Sequence, residues 1–183
     1  MNKTLVIYQS KYGHTKKYAQ WLSEELNADI CDAKKLKNKA LSDYSTIVFG
    51  GSLHFFIKKC RLALLLVEHF EQVKDKKVAL FTVGVYDSFS EESMISFNKL
   101  IKGVITPEIA EKIKIFHLRG GINFKKLSLW HKILLKFFRS RMLKQPENER
   151  NEFQNYFLSV YGKNVDFMDK KTLAPMIQYC LQK

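Results

Sequence analysis

The sequence predicts a doubly wound α/β domain, in which helices cover both faces of a parallel sheet. Apolar runs typical of buried strands recur at residues 5–8, 46–49, 78–82 and 113–118, with a weaker run at 29–31. Helical spacing of apolar residues occurs between and after them, at residues 15–26, about 58–72, about 91–103 and 171–182. Strands that alternate with helices of this length are joined by crossovers, which make the strands parallel.

The first strand and the helix after it have the clearest patterns. The run LVIY at residues 5–8 is uniformly apolar, as in a strand that is buried on both faces. Residues 15–26 place Tyr18, Ala19, Leu22 and Leu26 on one helical face and charged residues on the other. The stretch SKYGHT between them is therefore a strand-to-helix turn.

Length and composition favour a single domain over residues 1–183. The chain is 46% hydrophobic, which is enough for one substantial core, and no linker rich in Pro, Gly or Ser divides it. The N-terminus lacks the pattern of a signal peptide, and no segment approaches the roughly 20 apolar residues of a membrane span. We therefore expect a cytoplasmic location, with peripheral contact at the inner face of the cell membrane as an alternative.

The cysteines and histidines predict no metal site. Cys31, Cys60 and Cys180 are widely spaced without a CxxC pair, so we expect reduced thiols that pack in the interior. No HExxH or comparable ligand spacing occurs. The histidines in predicted helices and strands are expected in structural roles, namely His69, His117 and His131.

Positive charge is concentrated in one part of the chain. The formal net charge is +13, and ten Lys or Arg residues but no acidic residue lie between Glu111 and Glu147. Residues 127–143, LSLWHKILLKFFRSRML, form a basic helical pattern with one apolar stripe, made of Leu127, Trp130, Ile133, Leu134, Phe137 and Phe138. Such a helix suits contact with anionic lipid, or its stripe covers an edge of the sheet. No nucleic acid partner is expected, because no groove-reading module accompanies these charges.

Ligands of doubly wound sheets bind beyond the carboxyl ends of the strands, which here are followed by residues 10–15, 50–57 and 83–89. The first loop suits a phosphate, because Ser10 and Thr15 supply hydroxyls and Gly13 permits close backbone approach at a helix N-terminus. The alternative is an ordinary helix start capped by Ser10 or Thr15. The loop matches neither GxGxxG nor GxxxxGK[ST], which disfavours a nucleoside triphosphate.

The second and third loops combine glycines with aromatic residues, as the walls around a planar ligand do. Alternatively, these aromatic side chains pack onto neighbouring helices. His54 falls inside the second loop, and it is the candidate for contact with the ligand or substrate. No catalytic residue is otherwise assigned.

The three loops, in SKYGHT, IVFGGSLHF and FTVGVY, resemble the phosphate loop and two isoalloxazine loops of flavodoxin-like proteins, which bind FMN on a five-stranded parallel sheet. HLRGGINFKKLSLWHKILLKFFRSRM at 117–142 resembles the menaquinone-dependent protoporphyrinogen oxidase branch of that fold. The resemblance implies strand order 2-1-3-4-5 and a basic helical insertion at about 120–168, before the last helix. Residues 145–170 show no firm periodicity.

By this resemblance, the FMN phosphate would be held by Ser10, Tyr12, Gly13, His14 and Thr15. The flavin ring and ribityl chain would be lined by Ser52, Leu53, His54, Phe55, Val83, Gly84, Val85 and Tyr86. Tyr12 stands where many small electron carriers have a hydroxyl residue, and those carriers are typically acidic, whereas this chain is basic.

The activity implied by the resemblance belongs to heme biosynthesis: FMN-dependent dehydrogenation of protoporphyrinogen IX with a quinone as electron acceptor. The small-molecule partner is then a tetrapyrrole or a quinone. The alternatives are a generic FMN-binding quinone reductase or flavodoxin-type electron carrier, and a non-catalytic binding module. The oligomeric state is left open, a homo-oligomer included.

Overall fold

The computed structural model describes residues 3–38, 40–52, 61–85 and 103–182, together with Ile95, Lys99 and Ile101. The predicted helix at about 91–103 falls mostly outside these residues, although the backbone of Ile95, Lys99 and Ile101 is helical. Cys60 and most of the predicted second loop also lie outside the described part of the chain.

Five parallel strands form the central sheet in the order β2-β1-β3-β4-β5. They are β1 (Thr4–Gln9), β2 (Asp29–Asp32), β3 (Thr46–Ser52), β4 (Lys77–Gly84) and β5 (Ile113–Arg119). Each strand contains the apolar run that predicted it. The predicted α/β class and strand order are therefore confirmed.

Helices flank the sheet and continue beyond it. They are α1 (His14–Leu26), α2 (Arg61–Val73), α3 (Pro107–Lys112), α4 (Leu129–Leu143), α5 (Glu152–Val160) and α6 (Ala174–Leu181). The predicted helix at 171–182 is divided, because a 3-10 turn (Lys170–Leu173) precedes α6. Within the described ranges, no helix combines the length and the apolar character that crossing a bilayer requires.

The core has two layers, one on each face of the sheet, because side chains alternate along each strand. Leu5, Ile7, Ile47, Phe49 and Leu80 belong to one layer. Val6, Val48 and Phe81 belong to the other, where α1 contributes Tyr18, Ala19 and Leu22. All of these side chains are fully buried. Cys31 and Cys180 are buried reduced cysteines, one in each layer, as the sequence predicted.

The segment after β5 leaves the sheet and returns to it. Its two ends pair as short antiparallel strands, β6 (Gly121–Asn123) and β7 (Asn164–Asp166). Helices α4 and α5 lie between these strands, and we call residues 120–168 the insertion. The side chain of Asn151 accepts a hydrogen bond from the Gln154 amide, and the Gln154 side chain accepts one from the Asn151 amide. This capping box starts α5, in the segment where the sequence showed no firm periodicity.

His117 on β5 makes stability sensitive to mild acid. Its Nδ1 lies 2.6 Å from Oγ1 of Thr82 on β4, and burial lowers its pKa to about 4. In the unfolded chain a histidine titrates near 6.5, so the unfolded state binds the proton more tightly and stability falls as the pH drops from about 6.5 towards 4. We expect a loss of about 2 kcal/mol from this group between pH 6 and pH 4.5.

Urea unfolding of the wild type and of His117→Gln at both pH values measures this term. Carboxyl groups titrate in the same range in both proteins, so the difference between their pH dependences isolates His117. An equally steep loss in His117→Gln would contradict the assignment.

Candidate functional site

A cavity of about 590 Å3 lies at the carboxyl ends of the strands, between the sheet and the insertion. Predicted site residues that line it are Ser10, Tyr12, His14, Thr15, Ser52, Val83, Gly84 and Val85. Gly13 precedes the first residue of α1. The predicted residues Leu53, His54, Phe55 and Tyr86 lie outside the described part of the chain. The first and third loops therefore meet at one cavity, and their assignment to a flavin stays a prediction.

The first loop leads into the N-terminus of α1, where His14 and Thr15 line the cavity. Gly13 is the N-cap of α1 with φ +102°, a conformation that favours glycine, and its amide donates to Ser10 Oγ at 3.1 Å. No side chain caps α1, so neither Ser10 nor Thr15 acts as the N-cap considered in the sequence analysis. The first turn carries no acidic residue. The first amides of a helix have no carbonyl partner within the helix, which leaves them available to an anion.

The insertion supplies the opposite wall of the cavity, which is mainly apolar. From α4 and the residues before it come Leu127, Leu134, Leu135 and Phe138, and from α5 come Phe153, Tyr156, Phe157 and Val160. The sequence analysis missed the α5 residues. Their spacing at positions 153, 156, 157 and 160 is that of one helical face, and this signal was available.

Helix α4 has two apolar faces rather than one stripe. Leu127 is buried, and Leu134 and Phe138 line the cavity. The other predicted stripe residues are largely exposed, as is Leu129, with exposed fractions of 75% for Leu129, 68% for Trp130, 53% for Ile133 and 56% for Phe137. Of these, Trp130 also lines the cavity. Helix α4 therefore covers the cavity with one face and presents a second apolar face to solvent.

Two tyrosines join the insertion to the predicted ligand loops. Tyr12 Oη of the first loop lies 2.5 Å from Nδ1 of His131 on α4. Tyr156 Oη of α5 donates to the carbonyl oxygen of Val85 at 3.0 Å and accepts from Nη2 of Arg119 at 3.1 Å. The structure thus brings His131, for which the sequence predicted only a structural role, to the edge of the first loop.

The residues around the first loop favour an anion electrostatically. None of the described side chains that line the cavity is acidic. Burial lowers the pKa of His14, an effect that Asp166 opposes and Lys126 reinforces. Burial also lowers the pKa of His131, and the charge of Lys11 lowers it further. Both shifts favour the neutral form of the imidazole, so the positive charge near the first loop comes from Lys11 and Lys126.

Gly121 allows β6 to lie close to β7 and to His14. A Cβ atom at this position would lie 2.3 Å from the carbonyl oxygen of Val165 and 2.9 Å from Nε2 of His14. Only a residue without a side chain fits this approach. The return of the chain into β7 is thereby held against the first turn of α1.

Comparison with solved structures gives distant likenesses. Oxidised flavodoxin 2 from Bacillus cereus is 20% identical, with 64% of this chain and 85% of that chain covered and a TM-score of 0.41. A Lactobacillus acidophilus flavoprotein in complex with FMN is 16% identical, with 65% of this chain and 93% of that chain covered and a TM-score of 0.41.

The search of curated proteins found no match for this chain. The model of the flavodoxin domain family, in contrast, matches residues 5–150, which include all five strands of the sheet except Thr4 of β1, and the first helix of the insertion. This chain therefore belongs to the flavodoxin domain family.

Proposed function

We propose that this chain binds FMN and transfers electrons between the flavin and a small apolar partner, as a quinone reductase does. The observation that carries the proposal is the cavity, which joins a helix N-terminus at one end to an aromatic wall at the other, in a flavodoxin-family domain. When bound, FMN supplies the hydride and electron chemistry, so the protein needs no nucleophile of its own.

The residues present fit the phosphate of FMN. Ser10 and Thr15 offer hydroxyl groups, and the first turn of α1 offers backbone amides without a competing carboxylate. Lys11, which also lines the cavity, adds positive charge. Val83 near the end of β4 and Val85 directly after β4 line the cavity, where their apolar side chains would contact the planar part of the cofactor.

The aromatic wall supports a small-molecule partner rather than a protein partner. Phe138 of α4 and Phe153 and Phe157 of α5 line the cavity, so the insertion covers the site that an electron carrier would present to a redox protein. Planar apolar molecules bind well against such side chains. The net charge of +13 is also opposite in sign to that of the typical small carriers.

A reduced tetrapyrrole such as protoporphyrinogen IX, with a menaquinone as acceptor, is the second candidate substrate pair. Its support is the extent of the apolar wall that the 117–142 stretch helps to build, in the region whose sequence resembles the protoporphyrinogen oxidase branch. The assay adds protoporphyrinogen IX and a menaquinone analogue to protein of verified FMN occupancy. Appearance of porphyrin fluorescence supports this pair. Quinone reduction by a nicotinamide cofactor or a reductase, without tetrapyrrole turnover, supports the generic quinone reductase.

We also propose that the exposed face of α4 contacts an anionic membrane surface. Leu129, Trp130, Ile133 and Phe137 are exposed side by side, and basic residues of the same helix flank them. Apolar side chains beside lysines and arginines are the combination by which interfacial helices bind anionic lipid. Trp130 also lines the cavity, so we propose that a lipid-soluble quinone enters the cavity beside this face.

FMN binding is tested first by titrating the purified protein with FMN and following the visible absorption bands. We expect stoichiometric uptake by the wild type and an affinity lower by tenfold or more in Gly13→Val. The φ of +102° at Gly13 strains any branched residue by about 1–2 kcal/mol, and the side chain would lie where the phosphate approaches.

Gly162→Val is the matched control. Gly162 also has a positive φ, of +81°, and an added Cβ atom there would have no neighbour within 4 Å. Gly162 lies after α5 and not in the first loop. If the two variants lose equal affinity for FMN, then backbone strain alone, and not a change in the phosphate loop, causes the loss. A wild type without FMN uptake would overturn the proposed function and favour a non-catalytic module.

A further inference from the structure

His131 forms a polar link between the insertion and the first loop. Its Nδ1 lies 2.5 Å from Tyr12 Oη and 3.0 Å from Ser128 Oγ. The two rings also meet edge to face, with 5.8 Å between the centroids of Tyr12 and His131 and an interplanar angle of 67°. Ser128 is the N-cap residue of α4, so the imidazole is tied to the start of its own helix as well as to the loop.

Tyr12 lies in the part of the loop whose backbone must be held still to bind an anion. It follows Lys11 and precedes Gly13, whose amide and positive φ start α1. A hydrogen bond on the Tyr12 hydroxyl restricts the tyrosine side chain and, through it, the adjacent backbone. The contact spans 119 positions of sequence, so the insertion and not the loop itself supplies this restraint.

The neutral state of His131 suits this contact. Its unprotonated ring nitrogen can accept a hydrogen bond from a hydroxyl group, and burial together with Lys11 disfavours the imidazolium form. Tyr156 makes the comparable link at the third loop, through its bond to the Val85 carbonyl. The insertion therefore contacts the phosphate end and the ring end of the proposed flavin site through different residues.

We propose that His131 is a positioning residue for the phosphate loop, through which the insertion contributes to the preference for FMN over riboflavin. This inference rests on the proposed binding of FMN. His131 acts on Tyr12 and the loop backbone, so it affects recognition of the phosphate group and leaves the fit of the isoalloxazine ring unchanged. Riboflavin has the same ring without the phosphate, which makes it the appropriate probe.

The experiment measures the dissociation constants of FMN and riboflavin by quenching of flavin fluorescence, for the wild type and for His131→Ala. We expect the ratio of the riboflavin constant to the FMN constant to fall about tenfold in the variant, which is the effect of one lost hydrogen bond to the loop. His131→Gln retains an acceptor and should keep most of the preference. Tyr12→Phe should reproduce the His131→Ala effect, and combining the two should add little.

Tyr156→Phe is the matched control, since it loosens the insertion at the other loop. This variant should bind FMN and riboflavin more weakly by the same factor, so the ratio of their dissociation constants should not change. The inference is overturned, while the proposed function stands, if His131→Ala also weakens the binding of both flavins equally. It is likewise overturned if Tyr156→Phe lowers the ratio of the riboflavin constant to the FMN constant as much as His131→Ala does. If the wild type binds neither flavin, the proposed function fails and this inference fails with it.

Discussion

Replacing four basic residues of α4, Lys132, Lys136, Arg139 and Arg141, by glutamine is expected to weaken adsorption to anionic vesicles roughly 100- to 1,000-fold. Each Lys or Arg near such a surface contributes about 1 kcal/mol. Arg139 also lies over the ring of Tyr161, at 5.1 Å from its centroid, so we expect it to contribute the least of the four to lipid binding. Cosedimentation with vesicles that contain phosphatidylglycerol measures the effect.

The matched control removes four exposed lysines, Lys3, Lys34, Lys35 and Lys37, from other parts of the chain. Three of them follow β2, at the opposite edge of the sheet from β5. Both variants lose the same formal charge, so only a localised surface distinguishes them. FMN binding should be unchanged in both. Equal adsorption of the two variants would exclude α4 as the membrane-binding surface.

Gly50→Ala is expected to lower the free energy of unfolding by about 3 kcal/mol or more. A Cβ atom at Gly50 would lie 2.0 Å from Cζ and 2.3 Å from Cε1 of Phe81. Phe81 is fully buried in β4, and its ring covers the glycine of the neighbouring strand. Neither the ring nor the paired strands can move far in a close-packed interior, so the added methyl group causes overpacking. Urea unfolding followed by circular dichroism measures the change.

The double variant Gly50→Ala with Phe81→Leu separates this clash from other effects of alanine. A smaller side chain at position 81 makes room for the methyl group, so the double variant should be more stable than the sum of the two single changes predicts. Strict additivity would show that the Phe81 ring does not cause the loss. The Phe81 ring fills the space beside Gly50, so β3 carries a residue without a side chain at this position near the proposed site.

The sheet could be predicted from the sequence because its signals are local and continuous. A strand such as β4, buried on both faces, is an unbroken apolar run, and the helical face of Tyr18, Ala19 and Leu22 identifies α1. The carboxyl ends of parallel strands then place the first and third loops at one edge. These features follow from sequence positions that are close together.

The insertion could not be predicted as well, because its structure depends on contacts between distant positions. Strand β7 has three residues, too few for a periodic signal, and is defined by its pairing with β6. Helix α4 has apolar residues on two faces, and only the position of α5 determines which face is covered. The role of His131 likewise depends on Tyr12, a residue of the first loop.

The antiparallel pair of β6 and β7 makes the insertion a side branch of the chain. Its two ends meet at Gly121 and Asp166, so residues 124–163 begin and end at nearly the same point in space. We therefore expect the main sheet to form whether or not this branch is folded, because closing the branch adds an entropy cost that grows only slowly with its length. Such a unit can open at a free energy below that of global unfolding. In hydrogen exchange, the amides of α4 and α5 would then exchange before those of the five central strands.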